Sequence, residues 1–246
     1  MRLEGKCAIV TGGGSGFGAG IARIFAREGA QVMVADINPD AARAVAEEVG
    51  GIAQTVDVAD GASVAAMTQA ALTAWGRIDI LVNNAGITHL PTPLEDVSEE
   101  EFDRVLAVNA KSVYLTAREI VPQMKAQGAG AILNIASTAG LSPRPRLNWY
   151  NASKGWMITA TKAMAVELAP AGIRVNALAP VAGETPLLSS FMGEDTPEMR
   201  AKFLSTIPIG RFSTPEDMGE AAAFLCSDAA SMITGVAMEV DGGRCI

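Results

Sequence analysis

Tyr150 and Lys154 stand four positions apart in a stretch with helical patterning, which puts both side chains on one helix face. A free phenol has a pKa of about 10. A neighbouring ammonium stabilises the phenolate and brings that value toward the working range of a proton-transfer group. Ser137 falls just past an expected strand, at a carboxyl end, where open α/β sheets hold their ligands. Its hydroxyl suits the orientation of a substrate oxygen; a helix cap or a turn residue is the other reading of a lone serine there.

A second group of residues fits a phosphate-rich ligand. Thr11-Gly12-Gly13-Gly14-Ser15-Gly16-Phe17-Gly18 lies between an apolar run and the first helical pattern. Glycines let a pyrophosphate approach backbone N–H groups, and a helix N-terminus adds partial positive charge. A glycine cluster alone would be a flexible turn; after a strand and before a helix it is a dinucleotide cradle. Asp36 ends the second strand, where such folds set a carboxylate on the adenosine ribose hydroxyls. It would repel a 2′-phosphate by about 4 kcal/mol per unit charge at ~4 Å and an effective dielectric near ~20. Ile37 and Ser15 offer that phosphate no cation, so the pattern predicts NAD over NADP. Asp36 could instead cap the next helix, but Asn38 and Asp40 are available for that.

These residues need a scaffold, and short apolar runs alternate with longer helical patterns to supply one. Strands are expected at Lys6–Thr11, Gln31–Ala35, Ile52–Val56, Ile78–Val82, Ala131–Ile135, Arg174–Leu178 and Val236–Val240. Helices are expected at about Gly18–Glu28, Asp40–Val49, through Val64 to Leu72, from a Ser98-to-Glu101 capping box, Tyr150–Leu168 and Met218–Cys226. This alternation predicts an α/β fold: a doubly wound parallel sheet of Rossmann type with helices on both faces. Residues 1–246 form one domain in this reading. The stretch 181–210, rich in Pro, Gly, Met and Ser, breaks the rhythm and reads as a small helical lid, with a packed peripheral excursion as the alternative.

Taken in order, Thr11-Gly-x-x-x-Gly16-x-Gly18, Asn83-Asn84-Ala85-Gly86, Asn109, Ser137, Tyr150-x-x-x-Lys154 and Asp241-Gly242-Gly243 resemble the short-chain dehydrogenase/reductase family over almost the whole chain. The resemblance implies about seven parallel strands and a catalytic tetrad of Asn109, Ser137, Tyr150 and Lys154. It implies that Asp57 and Val58 hold the adenine, Asn84, Ala85 and Gly86 the cofactor ribose, and Pro180, Gly183 and Thr185 the nicotinamide. It implies a homotetramer or homodimer built on the helices beginning near Ser98 and Tyr150, with the Cys245-Ile246 tail at a second interface. The family often has Pro-Gly after the sixth strand; here Val181-Ala182-Gly183 follows Pro180. The expected reaction moves a hydride between NAD and a small secondary alcohol or ketone. Tyr150 is its general base, Ser137 steadies the substrate oxygen, and Lys154 depresses the Tyr150 pKa and holds the nicotinamide ribose. Asn109, poorly suited to mid-helix, joins a proton relay through water.

Competing substrates are a 3-oxoacyl thioester on an acyl carrier protein and a sugar oxidised at C1; a non-catalytic NAD-binding module is the competing class. The intact Tyr150, Lys154, Ser137 and Asn109 argue against the last. His89, the single histidine, either lines the substrate pocket or sits on an exposed loop. One of Arg144 and Arg146, between Ser137 and Tyr150, pairs with a substrate carboxylate, sulfonate or phosphate, or both are surface or interface arginines. Leu187, Leu188, Phe191, Met192 and Phe203 lean toward a partly apolar substrate.

A net charge of −8 disfavours nucleic acid and anionic membrane as partners. No apolar run spans a bilayer, and the N-terminus carries no signal-peptide pattern. Cys7, Cys226 and Cys245 are too sparse for a disulfide framework or thiolate zinc site, which fits a reducing, cytoplasmic setting. No metal is expected: a zinc site needs a clustered ligand set, and no G-x-S-x-G elbow supports a hydrolase.

Overall fold

Apolar residues at every position of a strand demand cover on both faces, and the chain supplies it. The computed structural model describes residues 1–246. Strands β1 (Cys7–Thr11), β2 (Gln31–Asp36), β3 (Ile52–Thr55), β4 (Ile80–Asn83), β5 (Gly130–Ile135), β6 (Ile173–Pro180) and β7 (Ala237–Val240) form one parallel sheet in the order β3-β2-β1-β4-β5-β6-β7. The chain winds outward from β1 in one direction and from β4 in the other. The carboxyl ends of these two strands therefore diverge at a switch point, where a crevice opens.

Successive side chains take opposite faces. Ala8, Val10, Val32 and Val34 pack with α1 (Gly16–Arg27), α2 (Pro39–Val49) and α9 (Pro215–Cys226). Ile9, Met33 and Ala35 face α3 (Gly61–Trp75), α5 (Ser112–Gln127) and α6 (Asn148–Leu168). Helix α4 (Glu99–Leu106) enters a π-helical turn, Ala107–Lys111, before continuing as α5. Residues 181–210 include α7 (Leu188–Met192) and α8 (Pro197–Leu204), over a small core that includes Val181, Leu188, Met192 and Ile207.

Most sequence-derived boundaries lie within two residues of these. Helix α1 starts at Gly16 rather than Gly18, and β6 runs on to Pro180, where it pairs with Val240. The expected capping box at Ser98 is half made: Ser98 Oγ accepts from Glu101 N–H at 3.2 Å, with no return bond. No helix is long and apolar enough to cross a membrane.

Candidate active site

The crevice is a cavity of about 440 Å³ along the carboxyl ends of β1, β2, β4, β5 and β6. At one end lies the glycine turn. Gly16, at φ +51°, makes the bend into α1, a conformation that side chains disfavour. Gly18 lets the helix meet the strand: a Cβ there would sit 2.1 Å from the Gly12 carbonyl oxygen. Ser15, the N-cap of α1, makes no capping bond, and the first turn holds no acidic residue. Helices α2, α3, α4, α8 and α9 are all capped by side chains. The N–H groups at the start of α1 are thus free for an anion, which is what a dinucleotide pyrophosphate requires.

Gly12, Ser15, Gly16 and Phe17 line the cavity; Gly14 and Gly18 do not. Those two act from behind. Gly14 N–H donates to Asp36 Oδ2 at 2.9 Å, and Gly18 permits the close packing just described. Asp36 lines the cavity beside Ile37, Asp57 and Val58, and its other oxygen accepts from Asn38 N–H at 2.9 Å. The cap of α2 is Asn38, so Asp36 is not needed for it.

Asn84, Ala85 and Gly86 follow β4 and also face the cavity. The Asn84 amide donates to the carbonyls of Thr11 and Gly12 at 2.9 and 3.0 Å, bracing the glycine turn. Beneath, a buried polar chain crosses the sheet. Thr116 Oγ1 donates to Asn83 Oδ1, Asn83 Nδ2 to Asn134 Oδ1, and Asn134 Nδ2 to Thr161 Oγ1, at 2.9, 2.9 and 2.8 Å. Every link is satisfied, so the chain fixes β4, β5, α5 and α6 relative to one another.

At the far end lie Tyr150, Lys154 and Ser137, while Pro180, Gly183 and Thr185 also line the cavity, the last two against the glycine turn. Ser137 Oγ accepts from Ala139 N–H at 3.0 Å, so it is also the cap that a lone serine there could be. Lys154 Nζ donates to the Ile135 carbonyl at 2.7 Å and lies 5.9 Å from the Tyr150 ring centroid. The expected depression of the Tyr150 pKa by Lys154 is not what this geometry gives. Burial pushes the phenol up to about 12, opposed by a hydrogen bond to Ser137 and the charge of Arg144. Burial also brings Lys154 down to about 8. Burial disfavours each charged form, and it is the largest cause of both shifts.

Asn109 lies inside the π-helical turn and is fully buried. Its Oδ1 accepts from Ile87 N–H at 2.9 Å, while Nδ2 donates to the Ile87 carbonyl at 2.9 Å and to Ser153 Oγ at 3.0 Å. The amide clamps the segment after β4 to helix α6.

Several expected substrate residues are elsewhere. His89 is neither on the cavity wall nor exposed: it is 1% exposed, with Nδ1 on the Leu90 carbonyl and Nε2 unpartnered. Arg146 is exposed and off the cavity, at φ +65° where the loop reverses. Leu188 is buried in the small core of the 181–210 segment, as is Met192, whereas Leu187, Phe191 and Phe203 line the cavity as expected. Arg144 does face it. The departure at Val181-Ala182-Gly183 seats Gly183 against the Phe17 ring, where a Cβ would lie 2.3 Å from Cζ, and sets Thr185 against Gly16.

Comparison with known proteins agrees with this architecture. A family model described as enoyl-(acyl carrier protein) reductase matches residues 12–244. The chain is 50% identical to 4-formylbenzenesulfonate dehydrogenase of Comamonas testosteroni, over 99% of each. It is 40% identical to a 3-oxoacyl-[acyl-carrier-protein] reductase of Thermotoga maritima, over 100% of each. The crystal structure of a 3-ketoacyl-(acyl-carrier-protein) reductase from Brucella melitensis complexed with NADH superposes with TM-score 0.95 at 53% identity, covering 99% of this chain and 100% of that one. The chain belongs to the short-chain dehydrogenase/reductase family. It is an oxidoreductase that uses a nicotinamide cofactor on alcohol or carbonyl groups of a small molecule.

Proposed function

We propose that the enzyme uses NAD to interconvert a small secondary alcohol and its ketone, with Tyr150 as the proton-transferring group. The carrying observation is one continuous cavity, with Tyr150, Ser137 and Lys154 at one end and the uncapped start of α1 beside Asp36 at the other. A nicotinamide dinucleotide bound there supplies the hydride acceptor or donor. The turn Gly12–Gly18 would hold its pyrophosphate, Asp36 and Ile37 the adenosine ribose, and Asp57 and Val58 the adenine. Asn84 to Gly86 and Lys154 would hold the second ribose, and Pro180, Gly183 and Thr185 the carboxamide. The only basic side chains on the cavity wall, Arg144 and Lys154, belong to the catalytic end. An extra phosphate at Asp36 would therefore meet a carboxylate and no cation.

Ser137 donates a hydrogen bond to the substrate oxygen. Tyr150 accepts the hydroxyl proton in oxidation and returns it in reduction. Asn109, its amide committed to Ile87 and Ser153, positions this group. Residues 1–246 act as one domain and the segment 181–210 as its lid, Phe191 and Phe203 excluding water from the reacting end. Tyr114 and Trp156, 55% and 44% exposed, line one shallow hollow between α4–α5 and α6, which suits the family's homodimer or homotetramer. Free Cys7, Cys226 and Cys245 fit a cytoplasmic enzyme.

The test is NADH-linked turnover over a panel of alcohols, ketones and aldehydes. Tyr150→Phe should lower turnover by about 100- to 10,000-fold with NADH binding, read by fluorescence, unchanged. A variant that retains turnover removes Tyr150 from the reaction. A 3-oxoacyl thioester, which two relatives' names favour and the acidic surface disfavours, belongs in the same panel.

A further inference from the structure

A guanidinium facing the catalytic cavity has no anion of its own. Arg144 lies in the loop between Ser137 and Tyr150, and its backbone carbonyl accepts from Asn151 Nδ2 at 2.7 Å. The loop is thus fixed to the helix that carries Tyr150. The Arg144 guanidinium stacks over the Phe203 ring, 4.3 Å from its centroid. It takes part in none of the ion pairs of the structure. The titratable groups that face it are Arg244, Tyr150 and Cys245, none of them a carboxylate. Arg244 is itself unpaired, with Nε buried and without a partner. Burial, and then the Arg244 charge, hold Arg144 below its usual range; a guanidinium remains protonated even so. Two neighbouring cations, partly withdrawn from water and neither in an ion pair, are costly unless an anion joins them.

The wall between this charge and the reacting phenol is apolar. Phe191 packs edge-on against Tyr150 with centroids 5.1 Å apart, and Leu147, Leu187 and Phe203 complete the surface. We propose that Arg144, backed by Arg244, is the specificity residue for an oxyanion on the substrate, a carboxylate or sulfonate carried by an aromatic ring whose carbonyl or carbinol reaches Tyr150. The guanidinium fork matches either oxyanion through paired N–H bonds. This rests on the assignment of the cavity as the hydride-transfer site, and it adds the class of substrate.

The test separates the two ideas. Benzenesulfonate and its neutral isostere benzenesulfonamide are titrated calorimetrically into the enzyme–NADH complex, with benzoate against benzamide as a second pair. Neither pair needs turnover. In the wild type the anion of at least one pair should bind about tenfold or more tightly than its isostere. Arg144→Met, which keeps apolar contact with Phe203, should bring that ratio near unity, and Arg144→Lys should restore part of it. Unchanged NADH affinity certifies that each variant is folded. Equal binding of anion and isostere by the wild type overturns the proposal, as does an anion preference that survives in Arg144→Met; Arg144 is then a latch on Phe203. Turnover of 4-formylbenzenesulfonate against 4-formylbenzenesulfonamide supplies the other arm. Arg144-dependent anion binding without oxidation or reduction of any panel compound keeps the subsite and removes the hydride-transfer reading. Turnover without charge preference does the reverse.

Discussion

At the scale of single residues, the site depends on burying groups that water would rather ionise. Lys154 is held down to about 8, against 10.5 for an ordinary lysine. Between those values the unfolded chain binds more protons than the folded one, so stability attributable to Lys154 rises with pH from about 8 toward 10.5. The slope is at most about 1.4 kcal/mol per pH unit. Tyr150, raised from 10.0 to about 12, acts in the opposite sense, its contribution lost only as pH climbs from 10.0 toward about 12. The melting temperature of the cofactor-free wild type, minus that of Lys154→Met, should therefore grow between about pH 8 and pH 10. A difference that stays flat over that interval means the ammonium is not desolvated. The same residues mark how far sequence reasoning reaches. Tyr150, Lys154, Ser137 and Asp36 were legible because few residue types suit their positions at strand ends and on one helix face. The direction of the Tyr150 shift was not, because it follows from burial by segments remote in the chain. The choice of Arg144 over Arg146 was hidden too, since it turns on the loop reversal at φ +65°.

Among elements, the least regular one carries the most consequence. Strands and long helices could be read from periodicity, and they position the cavity as expected. The π-helical turn at Ala107–Lys111 could not, because a shift in backbone bonding leaves no pattern in side chains; only the awkward Asn109 hinted at it. Helix α7 escaped for a related reason. In so short a helix the inward and outward faces cannot be phased from sequence, so Leu188 and Met192 were expected toward the substrate together with Phe191, and only Phe191 reaches the cavity. His89 is buried by tertiary packing that its own neighbours do not encode. The clamp made by Asn109 gives a direct expectation. Asn109→Leu strands the N–H and C=O of Ile87, each a loss of about 1–3 kcal/mol if left unpaired, while the Ser153 hydroxyl loses one donor but keeps its bond to the Tyr150 carbonyl. With relaxation, a total of roughly 2–4 kcal/mol should lower the melting temperature by about 5–15 °C. A shift under about 2 °C by calorimetry would mean the clamp holds little.

For the whole molecule, the cofactor is a stability ligand. NADH at ~100 times its dissociation constant should stabilise the fold by about 2.7 kcal/mol, whereas NADPH at equal concentration should stabilise it far less. Asp36→Asn should narrow that gap by relieving the repulsion; equal thermal shifts from both dinucleotides in the wild type would refute the role given to Asp36. Assembly is a second property at this scale. If the proposed homodimer or homotetramer forms through this hollow, replacing Tyr114 and Trp156 together by Glu should lower the mass seen in light scattering, and an unaltered mass would refute that interface. The widened turn before α5 joins the two scales. A regular helix advances by about 100° per residue, so the phase of α5 is indexed from that turn. In this phase Thr116 points inward to Asn83 while Tyr114 points out to solvent. Excising one residue to regularise the turn would swing the following helix by about 100°, unhooking the polar chain beneath the cavity and re-aiming the outer face in one motion. The bracing beneath the cavity and the exposed face that carries Tyr114 are thus set by a single rotation.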